Sequence, residues 1–396
     1  MADAKKPAVL IVGGLGFIGR HLALYIHENN LASEVRLVDK VLPQLAWLAP
    51  EFEEACSKDK FVQADASRER EWPDKSPPLK ANSYLKPGSP TEHFPRIFDR
   101  ANGEQFDYVI NCGGETRHSQ PDDVYEVRSY GLTVALGKEI ARRGIPAFVE
   151  TSTAHVYKGS STPRKETDKL VPWHKLAAWK IKAADELRKI PNLQYCALRL
   201  PHVYGAYDPG YFATGICLSA VHVDLKQDLI LLHTKDLKIN TLHVKDAASA
   251  LFEAAKWRAA QGFIDPKDGI VTFNVVDSND TKQEDIANAF SEVFDLKVTF
   301  VGSLASQFAK LNLDDVLDDM NEVGLQTWAE LVERANITRP GPISPFLERD
   351  ILKDQDMCID GSKFENETGW KPAYPKFGAD SVREIVDSYK RMGWWP

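Results

Sequence analysis

The chain has 396 residues, 43% of them hydrophobic, and a formal net charge of −8. That length is more than one small core needs and enough for a nucleotide-binding domain with a smaller lobe. The acidic balance and the lack of any basic run exclude nucleic acid or an anionic membrane as the main partner. Five scattered cysteines (Cys56, Cys112, Cys196, Cys217, Cys358) include no Cys-x-x-Cys pair, so neither a zinc site nor a disulfide framework is expected, and no metal is assigned. The N-terminus leads straight into an apolar run and nothing approaches bilayer length, so a cytoplasmic protein is expected.

The first element is the apolar run 8–12, which meets Gly13-Gly-Leu-Gly16-Phe17-Ile18-Gly19 and then a helical pattern over 18–29. This predicts a strand feeding a phosphate-binding helix. A side chain at Gly13 would obstruct the tight turn, one at Gly16 would hold the backbone away from a pyrophosphate, and one at Gly19 would separate helix from strand. The helix start, with Phe17 and Ile18 in its first turn, offers N–H groups and a positive dipole end to the phosphates. The next run, 35–38, closes on Asp39, twenty positions after Gly19. A carboxylate there accepts both ribose hydroxyls of an adenosine and repels a 2′-phosphate, which predicts NAD rather than NADP. Lys40 beside it pulls the other way.

Further apolar runs at 107–112, 146–152 and 194–200 alternate with helical patterns at 122–144 and 174–190. Alternation of this kind predicts an α/β fold, a Rossmann-type doubly wound parallel sheet. It breaks at 66–105, where six prolines mark an insertion, expected as a loop with one short helix near 92–101. After 205 the elements are short and mixed. A run at 238–258 passes through Val244-Lys-Asp246 into an alanine-rich helix, 281–296 is expected helical, 297–301 a strand, and 314–335 a helix with an acidic face. The expected division is a nucleotide-binding domain over 1–205, with the insertion 66–105, and a mainly substrate-binding lobe over 206–396, from which 238–258 returns to the first domain.

In order, these motifs resemble the extended short-chain dehydrogenase/reductase family, which includes the NAD-dependent epimerases and dehydratases. The glycine spacing fits, as does Asp65 in Val62-Gln-Ala-Asp-Ala66 for an adenine contact after the third strand. Val109-Ile-Asn-Cys112-Gly113-Gly114 falls where the family has small residues under the cofactor, and Thr151-Ser-Thr153-Ala-His-Val-Tyr157 where it has a hydroxyl-rich strand end. The resemblance implies Thr151 among the cofactor contacts and Thr153 as the substrate-binding hydroxyl. Leu198-Arg-Leu-Pro201-His-Val203-Tyr-Gly205 is similar to the segment flanking the nicotinamide, which brings in Pro201 and Val203. Asn240-Thr-Leu-His-Val-Lys-Asp246, Asp360-Gly-Ser-Lys363 and Gly369-Trp-Lys-Pro372 match later signatures. The resemblance further implies a small-molecule substrate, a sugar nucleotide or a 3β-hydroxysteroid-like molecule, and a homodimer.

One departure outweighs these matches. The family's catalytic Tyr-x-x-x-Lys belongs on the helix containing Trp173-His-Lys-Leu-Ala-Ala-Trp-Lys-Ile-Lys182, yet a lysine at Lys180 puts Leu176 at the tyrosine position, and one at Lys182 puts Ala178 there. Losing a general acid–base costs roughly 10²–10⁴-fold in rate. Tyr157, His155, His174 and His202 are the candidate substitutes, beside Thr153 as substrate hydroxyl and Lys180 as ribose clamp. His202 and Lys238 also stand where nucleotide-sugar members commonly have asparagine and arginine, which weakens the case for a sugar diphosphate. Arg334, Arg339 and Arg349 are candidates for gripping an anion or for surface ion pairs. Two readings stay open: an atypical NAD-dependent oxidoreductase, epimerase or dehydratase, and a protein that binds NAD for structure or sensing and turns nothing over.

Overall fold

The computed structural model describes residues 5–67, 93–262, 265, 271–302, 313–352 and 355–396. Most of the insertion expected at 66–105 lies outside them, and its short helix is found at His93–Phe98.

Seven strands form one sheet: β1 (Ala8–Val12), β2 (Glu34–Asp39), β3 (Phe61–Gln63), β4 (Tyr108–Asn111), β5 (Ala147–Thr153), β6 (Tyr195–Leu200) and β7 (Val271–Asn274). Their order is β7-β6-β5-β4-β1-β2-β3. The run from β3 to β5 is parallel throughout, with Leu10 opposite Arg36 on one side and Val109 on the other. This is the Rossmann topology expected from the sequence, with the order reversing between β1 and β4, where such sheets open a crevice at their carboxyl ends. Every residue of β1 is buried, as a strand covered on both faces requires. On one face Leu10 and Val12 join Leu132, Leu136 and Ile140 of the helix Leu132–Arg143 in a core cluster. Along α1 (Phe17–Glu28), Leu22, Ala23 and Ile26 recur at helical spacing and are buried.

The helix expected over 122–144 begins at Asp122–Tyr125, widens into a π turn at Glu126–Gly131 and resumes at Leu132. Later elements follow the sequence closely: helices at Lys175–Leu187, Val244–Ala260, Gln283–Phe294 and Leu313–Arg334, and a strand at Val298–Phe300.

The chain divides into two compact units. The first comprises Met1–Thr151, Ala178–Leu198 and Leu251–Thr272, the second Ser152–Ala177, Arg199–Ala250 and Phe273–Pro396. Two small parallel sheets lie in the second: His202–Tyr204 with Thr241–His243, and Leu229–Leu231 with Val298–Phe300. Its C-terminal stretch is pinned by the motif at 240–246. Asn240 Oδ1 accepts the Ile359 N–H at 2.8 Å, and the Asp246 carboxylate accepts those of Ala373 and Tyr374 at 2.9 and 2.8 Å.

Candidate functional site

In the first unit the glycine turn is built as its spacing requires. Gly13 has φ +70°, and its N–H donates to Val38 O at 2.8 Å, tying the turn to β2. A Cβ at Gly13 would lie 2.5 Å from Gly113 N, and one at Gly19 would lie 2.1 Å from Gly13 O. Both glycines are therefore demanded by backbone packing. Gly16 differs: a Cβ there meets Gly13 O alone, at 3.3 Å. A methyl there would be tight against that one carbonyl, whereas at Gly13 and Gly19 it would overlap the backbone. No side chain caps α1, its first turn holds no acid, and Phe17 and Ile18 are half-buried, so the N-terminal N–H groups are open to an anion.

Asp39 closes β2 beside this turn. Its Oδ2 accepts the Leu15 N–H at 3.2 Å and its Oδ1 that of Val41 at 3.0 Å, and the Lys40 N–H is a further backbone donor to this carboxylate. Burial raises its carboxyl above the usual aspartate range, and the backbone donors oppose that shift. Lys40 is exposed. Asp65 is half-buried, with Oδ1 accepting from the Ser67 hydroxyl at 2.6 Å, and Ala66 belongs to the core cluster.

At the end of β4, Asn111 Oδ1 accepts the Gly113 N–H at 3.0 Å and shapes the Cys112-Gly113-Gly114 bend against Gly13. Beneath it lies a buried polar knot that motif reading missed. Glu150 accepts hydrogen bonds from Thr133 and Asn111 through Oε1 and from the Tyr195 hydroxyl, at 2.7 Å, through Oε2. A carboxylate inside the apolar run Ala147-Phe-Val-Glu150 was the signal that could have revealed it.

Lys180 separates from its rival Lys182 here. Its Nζ donates to Thr151 O at 2.8 Å, and burial lowers its ammonium below the ordinary lysine value while Glu150 and Cys112 pull it back. The same burial pushes the Cys112 thiol up to about 12. Lys182 is exposed and lies 3.6 Å over the Trp179 ring. Four residues before Lys180 on the same helix, Leu176 is buried where the family has its tyrosine.

The second unit holds the remaining candidates. Thr153 caps the short turn Ala154–Val156: its Oγ1 accepts the His155 N–H at 3.2 Å and shares a 3.0 Å hydrogen bond with His155 Nδ1. The His155 ring lies 4.9 Å from that of His174 and 5.2 Å from that of His202, which stacks on Tyr211 at 4.0 Å. His174 Nδ1 accepts the Ala177 N–H at 3.2 Å, so it works as a helix cap. Tyr157 is only 2% exposed. Its hydroxyl donates to Asn274 Oδ1 at 2.7 Å and accepts from Arg199, and burial raises its phenol above the ordinary value. Pro201 is buried and Val203 half-buried. Lys238 is paired with Asp280, and Arg334 with Asp224 at 2.6 Å. Among the described residues no group of three or more His, Cys, Asp or Glu side chains is arranged to hold a metal ion, and no helix is long and apolar enough to cross a membrane.

The class that this fold and glycine cradle define is the Rossmann-type nucleotide-binding protein. Residues 95–263 match the family described as the NAD dependent epimerase/dehydratase family. Among solved structures, a UDP-galactose 4-epimerase aligns with TM-score 0.61 at 16% identity, covering 97% of this chain and 99% of its own. The ADP-L-glycero-D-manno-heptose-6-epimerase of Helicobacter pylori gives 0.63 at 14%, covering 98% of each. The UDP-glucose 4-epimerase of Thermus thermophilus, solved with NAD, gives 0.59 at 16%, covering 97% and 99%. No protein of curated function matches the sequence. The resemblance drawn from the motifs is thus found again in the family match and in the fold.

Proposed function

We propose that the protein binds NAD on its first unit and acts as an atypical oxidoreductase of the epimerase/dehydratase type on a small molecule bearing a hydroxyl or carbonyl. Four features of the first unit support the cofactor: the uncapped start of α1, the glycine turn, the carboxylate of Asp39 at the end of β2, and Lys180, whose ammonium lies at the Thr151 carbonyl. Asp39 favours NAD over NADP by charge. When bound, NAD supplies the hydride acceptor or donor.

Acid–base work falls to the chain itself. The observation that carries the reading is the Thr153–His155 hydrogen bond of 3.0 Å at the hydroxyl-rich strand end, in a chain whose tyrosine position holds Leu176. Thr153 Oγ1 presents a hydroxyl to the substrate oxygen, and His155 takes or returns the proton through it, as an imidazole general acid–base can. Tyr157 has no part in the proposal, because Asn274 and Arg199 already engage its hydroxyl. The five cysteines are thiols rather than disulfides, which fits a reducing compartment such as the cytoplasm.

NADH formation over a panel of secondary alcohols and UDP-hexoses tests the reading. Thr153→Val and His155→Phe are expected to lower turnover by roughly 10²–10⁴-fold while NAD affinity stays within about twofold. Unchanged turnover in both variants would remove the proton pair. A second reading, NAD held for structure or sensing, is favoured by Leu176 and is the outcome if wild-type protein binds NAD tightly yet oxidises nothing.

A further inference from the structure

Glu150 is a buried acid that the proposed chemistry does not use. It is 5% exposed and follows the apolar stretch Ala147-Phe-Val of β5. Taking a carboxylate out of water is costly unless donors and an opposite charge meet it. The donors are in place: the Thr133 hydroxyl at 2.5 Å and the Asn111 amide at 3.4 Å bond to Oε1, and the Tyr195 hydroxyl at 2.7 Å bonds to Oε2. Every one of these bonds brings a hydrogen to Glu150, so the side chain serves as an acceptor throughout, as an ionised carboxylate does. The donors are neutral, and none of them balances the charge.

The opposite charge comes from Lys180. Its Nζ donates at 2.8 Å to the carbonyl of Thr151, the residue next to Glu150 on the strand. The Thr151 hydroxyl donates in turn to Asn111 O at 3.2 Å, and the Asn111 side chain bonds Glu150, so lysine, strand and acid belong to one hydrogen-bonded set within the first unit. Burial lowers the Lys180 ammonium, and the groups that oppose this are Glu150 and the Cys112 thiol. Burial pushes that thiol up to about 12, so it is uncharged at neutral pH and Glu150 is the anion of the pair.

We infer that Glu150 is a positioning residue of the NAD site that acts through Lys180: it is the buried counter-charge that keeps the ammonium at the Thr151 carbonyl. The role toward NAD rests on the proposed cofactor site, whereas the pairing with Lys180 is a property of the protein without ligand. The same acid reaches the glycine turn. Its Oε1 fixes the Asn111 amide, because the reversed amide would set two acceptors against each other. Asn111 Oδ1 is thereby aimed at the Gly113 N–H, 3.0 Å away, in the bend that packs against Gly13.

Urea unfolding of the apo-protein at pH 5 and pH 8 tests the pairing with no cofactor present. Lys180→Met strands the carboxylate, so the folded state holds a proton on Glu150 more tightly than the unfolded chain does and loses stability as pH rises. Its midpoint should fall further below wild type at pH 8 than at pH 5, and adding Glu150→Gln should abolish that difference. A loss equal at both pH values, or a difference that persists in the double variant, would overturn the pairing. Calorimetry with NAD at pH 6.5 and pH 9 reads the positioning role. Glu150→Gln keeps an acceptor for Asn111 and removes the charge, so the ratio of Kd at pH 9 to Kd at pH 6.5 should rise about tenfold over wild type as the ammonium loses its proton. In the Lys180→Met background the same substitution should leave the ratio alone. An unchanged ratio in Glu150→Gln overturns the role, and so does wild-type protein that binds no NAD, which sinks the cofactor site as well and leaves the pairing to the unfolding result. Should Glu150→Gln not fold, Lys180→Met against wild type at the two pH values decides the pairing.

Discussion

Side chains with the same charge meet very different fates two residues apart in the helix Lys175–Leu187. Two positions on a helix diverge by roughly 200°, so Lys180 and Lys182 cannot face the same ligand. Lys180 is desolvated and bound to Thr151 O, whereas Lys182 lies in solvent over Trp179. If NAD occupies the first unit, Lys180→Met should weaken it by about tenfold or more, the worth of a hydrogen bond from a charged donor. Asp39→Ala should act similarly, and Lys182→Met should change affinity by less than about twofold. Calorimetry on the purified variants reads all three, and a loss confined to Lys182→Met would move the site by half a turn of helix.

Among the elements, β1 and α1 are held together by what their glycines leave out. The Cβ distances divide the three into two kinds, with Gly13 and Gly19 closed by backbone under 3 Å away and Gly16 meeting a single atom, Gly13 O, at 3.3 Å. Gly19→Ala drives a methyl into Gly13 O and should cost about 1–3 kcal/mol of stability, as overpacking does. Gly16→Ala should lose less stability than Gly19→Ala while losing NAD affinity. Urea unfolding paired with binding measurements separates them, and equal stability loss in both would contradict the division. The π turn at Glu126–Gly131 is the opposite case. The pattern of 122–144 predicted an unbroken helix, and the wider turn is set by backbone hydrogen bonds that side-chain periodicity does not report.

At the scale of the whole molecule, a described carboxyl held far from its ordinary value is Asp277 of the second unit. It is 5% exposed and accepts from the Thr241 hydroxyl at 2.5 Å, and burial pushes it up to about 7 from 3.8. Since the folded value lies above the unfolded one, the native state binds the proton more tightly. Its contribution to stability is therefore full below pH 3.8 and lost as pH rises toward about 7. Removing the hydroxyl donor makes this visible, because a charged carboxylate needs that donor more than a neutral one. Thr241→Val should destabilise the protein by about 1 kcal/mol more at pH 8 than at pH 5. Urea titrations at the two pH values check it, and a pH-independent penalty would place the ionisation elsewhere.

Local order was legible in the chain because periodicity and turn chemistry act over a few residues. The run 8–12, its glycines, the helix after them and Asp39 needed nothing distant to declare a Rossmann start, and the gap at Leu176 was equally plain. Spacing alone left Lys180 and Lys182 as alternatives, and burial distinguished them. What the tertiary structure decided depends on partners far apart in sequence. Tyr157 reads as a spare phenol until Asn274, 117 positions away, accepts its hydrogen bond. His155, His174 and His202 are scattered in the chain but neighbours in space. An apolar pocket of the second unit draws its walls from Trp173 through Met357, and no sequence pattern brings those segments together. Fold follows from the repeating local pattern, whereas the chemistry of a side chain is set by the burial and hydrogen bonds that remote segments impose on it.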